Sequence, residues 1–300
     1  MAQVCTNDRR LAALGIISLS ALLALGCGGG NAPDPMGEPG QGATTSSGAV
    51  GSGASGGTGG SAASGGGGSF DCDQIANPSE LVEIPAGEFI MGCNAEVDDQ
   101  CEDDENPMHL VTLSAFEVER TEVTQPQYTA CVAEGACQPP SCAWDCSKTE
   151  FAASCINFEQ ASDYCAWAGR RLPTEAEWEK AARGSDGLKY PWGNTEPDCT
   201  RANMASCGED AVTVGSLDAG ASPYGVLDLA GNMVEMIADW YDATYYAASP
   251  ASDPSGPASG QRFVGRGGGF KSEAEWMRAS KRDWYDLTDA GPSLGFRCAR

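Results

Sequence analysis

The chain has 300 residues, 42 of them acidic against 18 basic, for a formal net charge of −24. With no clustered cations to displace counterions, that balance excludes nucleic acid and other polyanions as partners. Surplus carboxylates make calcium a reasonable ligand, with solvated acidic surface as the plain alternative for most of them.

Arg9 and Arg10 precede an apolar run from Leu11 to Leu25, followed by Gly26 and Cys27. The run is short for a membrane span. A charged segment, an apolar segment and a small residue before cysteine resemble a bacterial lipoprotein signal, cleaved before Cys27 with acylation of its thiol. An ordinary signal peptide with an incidental cysteine is the alternative. Residues 28–70 are nearly all Gly, Ser, Ala, Thr and Pro, too poor in apolar groups to build a core. As a flexible tether they span roughly 35 Å on average and on the order of 140 Å fully stretched. Gly28 after the cysteine resembles the sorting pattern of outer-membrane lipoproteins. The expected organisation is a signal over 1–26, a lipidated Cys27 with its linker over 27–70, and one domain over 71–300. It describes an exported, membrane-anchored protein at the outer membrane.

Twelve cysteines lie beyond Cys27. An even number in an exported chain reads as a disulfide framework. The short spacings 93/101, 131/137 and 199/207 are candidate loops, but counting alone leaves on the order of ten thousand pairings. A zinc site in the 131–155 cluster is the alternative, opposed by the absence of a nearby histidine and by an oxidising compartment.

Within the domain, "LVEIPAGEFIM" predicts two short strands around Pro85-Ala86-Gly87. An acidic loop, "AEVDDQCEDDENP", follows and reads as solvated. "HLVTLSAFEVERTEVT" alternates as strands do and gives way to a helix near Pro126. Residues 157–168 place Ala161, Tyr164, Cys165 and Ala168 on one helical face, capped by Gly169. In "RLPTEAEWEKAARG", Thr174 and Glu177 form a capping box, and Gly184 ends the helix. Glu175 and Glu177 sit at the positive end of its dipole, Lys180 and Arg183 at the negative end. Those charges read as helix-stabilising, with Trp178, Ala181 and Ala182 as the packing face. After Lys189 the chain is rich in Gly, Pro, Asn and Asp with little periodicity, so the domain needs staples such as disulfides or metal ions.

The succession "FIMG", "ENPMHLVTLSAFEVERTEVTQPQY", "YCAWAGRRLPTEAEWEKAARG", "YPWGN", "SPYGVLDLAGNMVEM", "RGGGF" and "LGFRCAR" resembles the sulfatase-modifying-factor family, whose name-giving member is the formylglycine-generating enzyme. The resemblance covers residues 80–300. It implies an α+β fold like that of C-type lectins, with much irregular structure, stapled by disulfides and calcium. Its oxidase members turn the cysteine of a Cys-x-Pro-x-Arg peptide into formylglycine, using oxygen and one copper(I) ion held by two thiolates. Soft Cu(I) suits thiolates.

Carried onto this chain, the two thiolate positions fall on Ser272 and Met277, and Gly269 stands where the family has serine. The loop is about three residues shorter. Copper chemistry is therefore not expected here. The alternative is an active oxidase with non-standard copper ligands such as the Met277 thioether. Iron-using relatives need several histidines, and this chain has only His109, so iron is not expected either. The resemblance pairs Cys165 with Cys298. A second family disulfide falls on Ala182 and Ala279, lost together. It also implies a calcium site at Asp228, Gly231, Met233 and Glu235, and a second beginning at Asn203 and the Met204 carbonyl, with Asp210 as a possible further acid. Phe270, Trp276, Arg278, Arg282, Trp284 and Tyr285 either line a partly polar pocket or are core residues and ion-pair partners. The function expected is a binding or accessory module for a peptide, protein or glycan.

Overall fold

The computed structural model describes residues 76–300. The signal, Cys27 and the linker fall outside the described residues. Strand β1 (Leu81–Ile84) and strand β2 (Gly87–Met91) flank the Pro85-Ala86-Gly87 turn but pair with different partners. β3 (His109–Leu113) lies antiparallel to β2, and β4 (Phe116–Glu119) antiparallel to β1. Alternation along these strands buries Ile84, Phe89, Val111, Leu113 and Val118 against one core.

Three short helices follow. Helix α1 (Gln125–Ala133) starts at the Thr124 N-cap with Pro126 in its first turn. Helix α2 (Phe158–Trp167) has Asn157 as N-cap and buries Ala161, Tyr164 and Cys165. Ala168 lies just past it and is only half-buried. Tyr164 stacks on Tyr128 of α1, and both meet Phe296 in a second core. Burial of each such side chain contributes roughly 1.5–3 kcal/mol.

Helix α3 (Glu175–Arg183) has the capping box of Thr174 and Glu177. All nine of its residues are buried, so burial extends well beyond the packing face of Trp178, Ala181 and Ala182 read from the sequence. Lys180 extends its ammonium to the carbonyls of Pro85 and Gly87, 2.8 and 2.9 Å away, fastening the β1–β2 turn to the helix. The remaining charges of α3 serve the site described below.

The second half is largely irregular and wraps a four-stranded sheet in the order β7-β6-β5-β8. Its strands are β5 (Val234–Trp240), β6 (Arg262–Arg266), β7 (Asp283–Asp286) and β8 (Leu294–Gly295). At the free edge, the amides of Trp284 and Asp286 are taken by the carboxylates of Asp283 and Asp289.

Disulfides join Cys93–Cys101, Cys131–Cys137, Cys142–Cys155, Cys165–Cys298 and Cys199–Cys207. Cys146 is disulfide-bonded as well. The 131–155 cluster therefore offers no thiolates to zinc. The pairing of Cys165 with Cys298, implied by the family resemblance, ties α2 to the last residues across 133 positions.

Candidate functional site

The stretch Gly265–Arg282 leaves strand β6 through two left-handed glycines, Gly267 at φ 86° and Gly268 at φ 64°. A Cβ on Gly268 would lie 2.6 Å from the Met277 terminal methyl and 2.9 Å from Trp276 Cβ. Only glycine permits that approach. Ser272 closes the turn: its hydroxyl accepts from the Gly269 amide at 3.0 Å, and its own amide donates to the Gly269 carbonyl. Its carbonyl accepts from Ala205, inside the Cys199–Cys207 loop. A short 3-10 turn, Ala274–Met277, then buries Met277 completely among Tyr190, Ala202, Met204 and Ala230. What is left between Gly268, Trp276 and Lys281 is a crevice too narrow for a water molecule.

The cations of this stretch are buried ion-pair partners. Arg266 reaches Glu179 at 2.5 Å and Glu175 at 3.3 Å, and Arg282 meets both oxygens of Glu175. Arg278 forks onto Glu105 with two contacts of 2.7 Å and adds Asp98 at 2.9 Å. Lys281 pairs with Glu102. The acidic loop read as solvated thus turns two carboxylates inward, Asp98 and Glu105, because Arg278 is there to receive them. Bidentate pairing offsets much of their desolvation.

The same pairs explain α3. Burial pushes Glu179 up, but Arg266 and Arg183 outweigh it and hold the carboxyl below its ordinary range. Asp239 of β5 accepts from the Glu175 amide at 3.0 Å, capping α3 from outside the helix. Burial, reinforced by the charge of Glu175, raises Asp239 to about 8.

The six residues considered as a pocket lining are dispersed. Trp276 borders the crevice, Arg278 and Arg282 are in ion pairs, and Phe270 packs with Ala152 and Met233. Tyr285 stacks on Phe263, while Trp284 is exposed with Arg262 over its ring at 3.5 Å.

The residues considered for calcium lie together in the second half. Asp228 is buried with φ 59°, and its Oδ2 accepts from the Gly215 amide at 2.5 Å. Gly231 sits against the Asn203 backbone, where a Cβ would clash with the carbonyl. The Asn232 amide donates to that carbonyl, and Asn203 Nδ2 donates to the Asp210 carbonyl at 3.0 Å. The Met204 carbonyl accepts from Cys207, and Met233 is buried. Glu235 has both oxygens engaged, Oε1 by Arg297 at 2.6 Å and Oε2 by Arg297 and Trp178. An ion there would share Glu235 with a guanidinium.

Glu122 is a residue the sequence reading missed. It is fully buried, Asn232 donates to its Oε1 at 2.9 Å, and its Oε2 has no partner. Burial raises Glu122 well above its ordinary value, and the charge of Asp228 raises it further; burial raises Asp228 too. Two carboxylates with one orphaned oxygen fit a hard cation, and Asp228 with Glu122 would hold it. The only signal in the sequence was "TEVT", where an acid between threonines reads as an outward strand residue.

A domain described as sulfatase-modifying factor enzyme 1-like has a family model that matches residues 69–300. The chain belongs to this family. A formylglycine-generating enzyme of Thermomonospora curvata is 32% identical over 299 residues, covering 77% of this chain and 98% of that protein. Serine/threonine-protein kinase pkn1 of Chlamydia pneumoniae is 40% identical over 148 residues, 48% of this chain; the match spans only 23% of the kinase. Among solved structures, PvdO from Pseudomonas aeruginosa superposes with a TM-score of 0.65 at 27% identity, covering 74% of this chain and 94% of that one.

The family's copper site does not fit these residues. The thiolate positions that the family resemblance implies fall on Ser272 and Met277, the Met277 side chain is fully buried, and every described cysteine is disulfide-bonded. A hydroxyl and a buried thioether hold Cu(I) far more loosely than two thiolates would. Ala182 and Ala279, where a family disulfide is absent, are both fully buried in the first core.

Proposed function

We propose that this chain is a binding or accessory member of the family, without copper-dependent thiol oxidation. The observation that carries the reading is the closed crevice: its loop holds Ser272 and Met277 where thiolates would stand, and among the described residues no cysteine is left reduced. The loop is held by ion pairs to α3 and to the acidic loop, so it is a built part of the domain and not a damaged one. The seven segments that carry the family resemblance follow one another along the chain, and irregular loops held on a fastened scaffold suit the presentation of a ligand-binding surface.

The lipoprotein-like leader supports anchoring through Cys27 in the outer membrane of an exported protein, and the disulfides suit that compartment. A calcium ion at Asp228 and Glu122 would staple the irregular second half and supply no redox chemistry.

The test uses the full chain with its disulfides intact, Cu(I), oxygen and a Cys-x-Pro-x-Arg peptide, with the peptide mass as readout. An active relative converts the cysteine to formylglycine, and this chain is expected to leave it unchanged. Conversion with stoichiometric copper would overturn the reading and establish that other ligands suffice.

A further inference from the structure

The loop that follows strand β2 carries the Cys93–Cys101 bridge, and that bridge has a carboxylate beside it. Asp98 Oδ2 lies 3.4 Å from Cys93 Sγ, and one Asp98 oxygen and the two sulfurs all lie within 4.8 Å of one another. Among the described residues, no other cysteine pair has a third ligand atom within that reach. Asp98 is fixed in this position: its amide donates to the Asn94 carbonyl at 2.9 Å, and its Oδ1 accepts from the Gln100 amide at 3.1 Å. Cys93 and Asp98 are each 2% exposed. Cys101 is half-buried and borders a groove of about 650 Å³ with Glu102, Asp103, Asp104 and Tyr241.

Two thiolates and a carboxylate are a donor set that zinc accepts. At ordinary zinc bond lengths, a sulfur and a carboxylate oxygen on one tetrahedral ion stand about 3.5 Å apart, and two sulfurs about 3.8 Å apart. The first spacing is already present between Cys93 and Asp98. The second requires the sulfurs to part, which a bonded pair cannot do. The surrounding charges suit such an ion. Two thiolates and one carboxylate around zinc leave one net negative charge, and Arg278 Nη1 stands 4.0 Å from Cys93 Sγ and 2.9 Å from Asp98 Oδ2. Lys189 lies 3.7 Å from the other Asp98 oxygen. Arg278 also has its two-contact fork on Glu105, so Asp98 can turn an oxygen to an ion without stranding the guanidinium. Glu102, Asp103 and Asp104 make the groove beside Cys101 attractive to cations.

We propose that Cys93, Asp98 and Cys101 are a redox-gated zinc site, closed while the sulfurs are bonded and opened by a dithiol reductant. One thiolate of the dithiol bonds to Cys101 Sγ, the Cys93–Cys101 bond breaks, and its electron pair stays on Cys93 Sγ beside Arg278. The second thiolate then displaces Cys101 and closes the reductant's own disulfide. The protein gains the two electrons that the dithiol loses, and the dithiol's two protons end on the cysteines. Zinc binding releases those protons to solvent, with Asp98 as third ligand and water in the fourth position. Exchange with an oxidised dithiol reverses the sequence and frees the ion. This function goes beyond the binding-module reading and depends on none of its residues.

The test uses the full chain, treated with dithiothreitol, desalted without oxygen and dialysed against zinc, with calcium in excess to fill sites for hard cations. Alkylation and peptide mass identify the reduced cysteines, and elemental analysis counts bound zinc. The reduced wild type is expected to hold one zinc more per chain than a Cys93→Ser, Cys101→Ser double variant reduced alongside it. Asp98→Asn keeps both cysteines and their bridge, so it decides the matter if the double variant fails to fold. Losing even an outer partner of a metal ligand costs about 10–100-fold in affinity, so Asp98→Asn should weaken zinc binding at least about tenfold. Resistance of the Cys93–Cys101 bond to the dithiol, equal zinc in wild type and double variant, or unchanged affinity in Asp98→Asn would each overturn the site. The thiol-oxidation test is run with disulfides intact, so its outcome is independent of this one.

Discussion

Asp239 shows how a single carboxyl can oppose the usual pH trend of a protein. Its capping contact to the Glu175 amide holds it in a buried position beside another acid, and its value of about 8 lies above that of an unfolded aspartate, about 3.9. The folded state therefore takes up a proton that the unfolded state has released. Stability from this group is full below the unfolded value and is lost as pH rises through about 8. Asp239→Asn keeps an oxygen for the amide and cannot ionise. Urea midpoints at pH 5 and pH 8.5 should fall with pH more steeply in the wild type than in Asp239→Asn, and parallel trends would refute the assignment. In the sequence this residue is the unremarkable acid of "IADWY". Nothing in a strand pattern tells which acid will meet a helix N-terminus from another part of the chain.

At the scale of elements, α3 separates what local chemistry specifies from what packing decides. The capping box, the start at Thr174 and the end at Gly184 follow from side chains within one turn of each other, and all three could be read in order. The burial of Glu175, Glu179, Lys180 and Arg183 could not, because they depend on partners about 90 to 110 positions away at the two ends of β2, in β6 and in the Gly265–Arg282 stretch. The same limit applied to the acidic loop, whose Asp98 and Glu105 turned inward toward Arg278. Strands β1 to β4 were legible by alternation, whereas their pairing, β1 with β4 and β2 with β3, depends on a return of the chain that no period encodes. Glu179→Gln tests the packing side. It weakens the contacts to Arg266, Arg183 and the Gly92 amide and leaves buried cations poorly matched. A loss of about 3–5 kcal/mol in urea unfolding is expected, as for breaking other buried pairs. A loss below about 1 kcal/mol would place this group among solvated surface pairs.

For the molecule as a whole, disulfides compensate for the sparse regular structure of the second half. Four of the five described bridges close loops of 6 to 13 residues, and Cys165–Cys298 spans 133. Loop-closure entropy assigns the long one about 4–5 kcal/mol and the short ones nearer 2–3. Replacing Cys165 and Cys298 together by alanine should lower stability more than replacing Cys131 and Cys137, as measured by denaturant midpoint under non-reducing conditions. The reverse order would mean that native packing, and not chain entropy, governs the staples. The long bridge was read from kinship, not spacing, since a separation of that size has no signature in the chain.

The same bridge leads to the closing strand pair of the domain. Cys298 and Arg300 accept from Glu119 and Glu117 on one side of β4, while β1 occupies its other side, with Leu81 opposite Glu119 and Glu83 opposite Glu117. Two inter-strand spacings put the last residue roughly 10 Å from β1. The first strand and the last residue thus lie on either side of one strand. A linker of about four residues would join Arg300 to Glu80, and a chain so circularised, then reopened in the turn between β7 and β8, would retain every strand pairing in a permuted order.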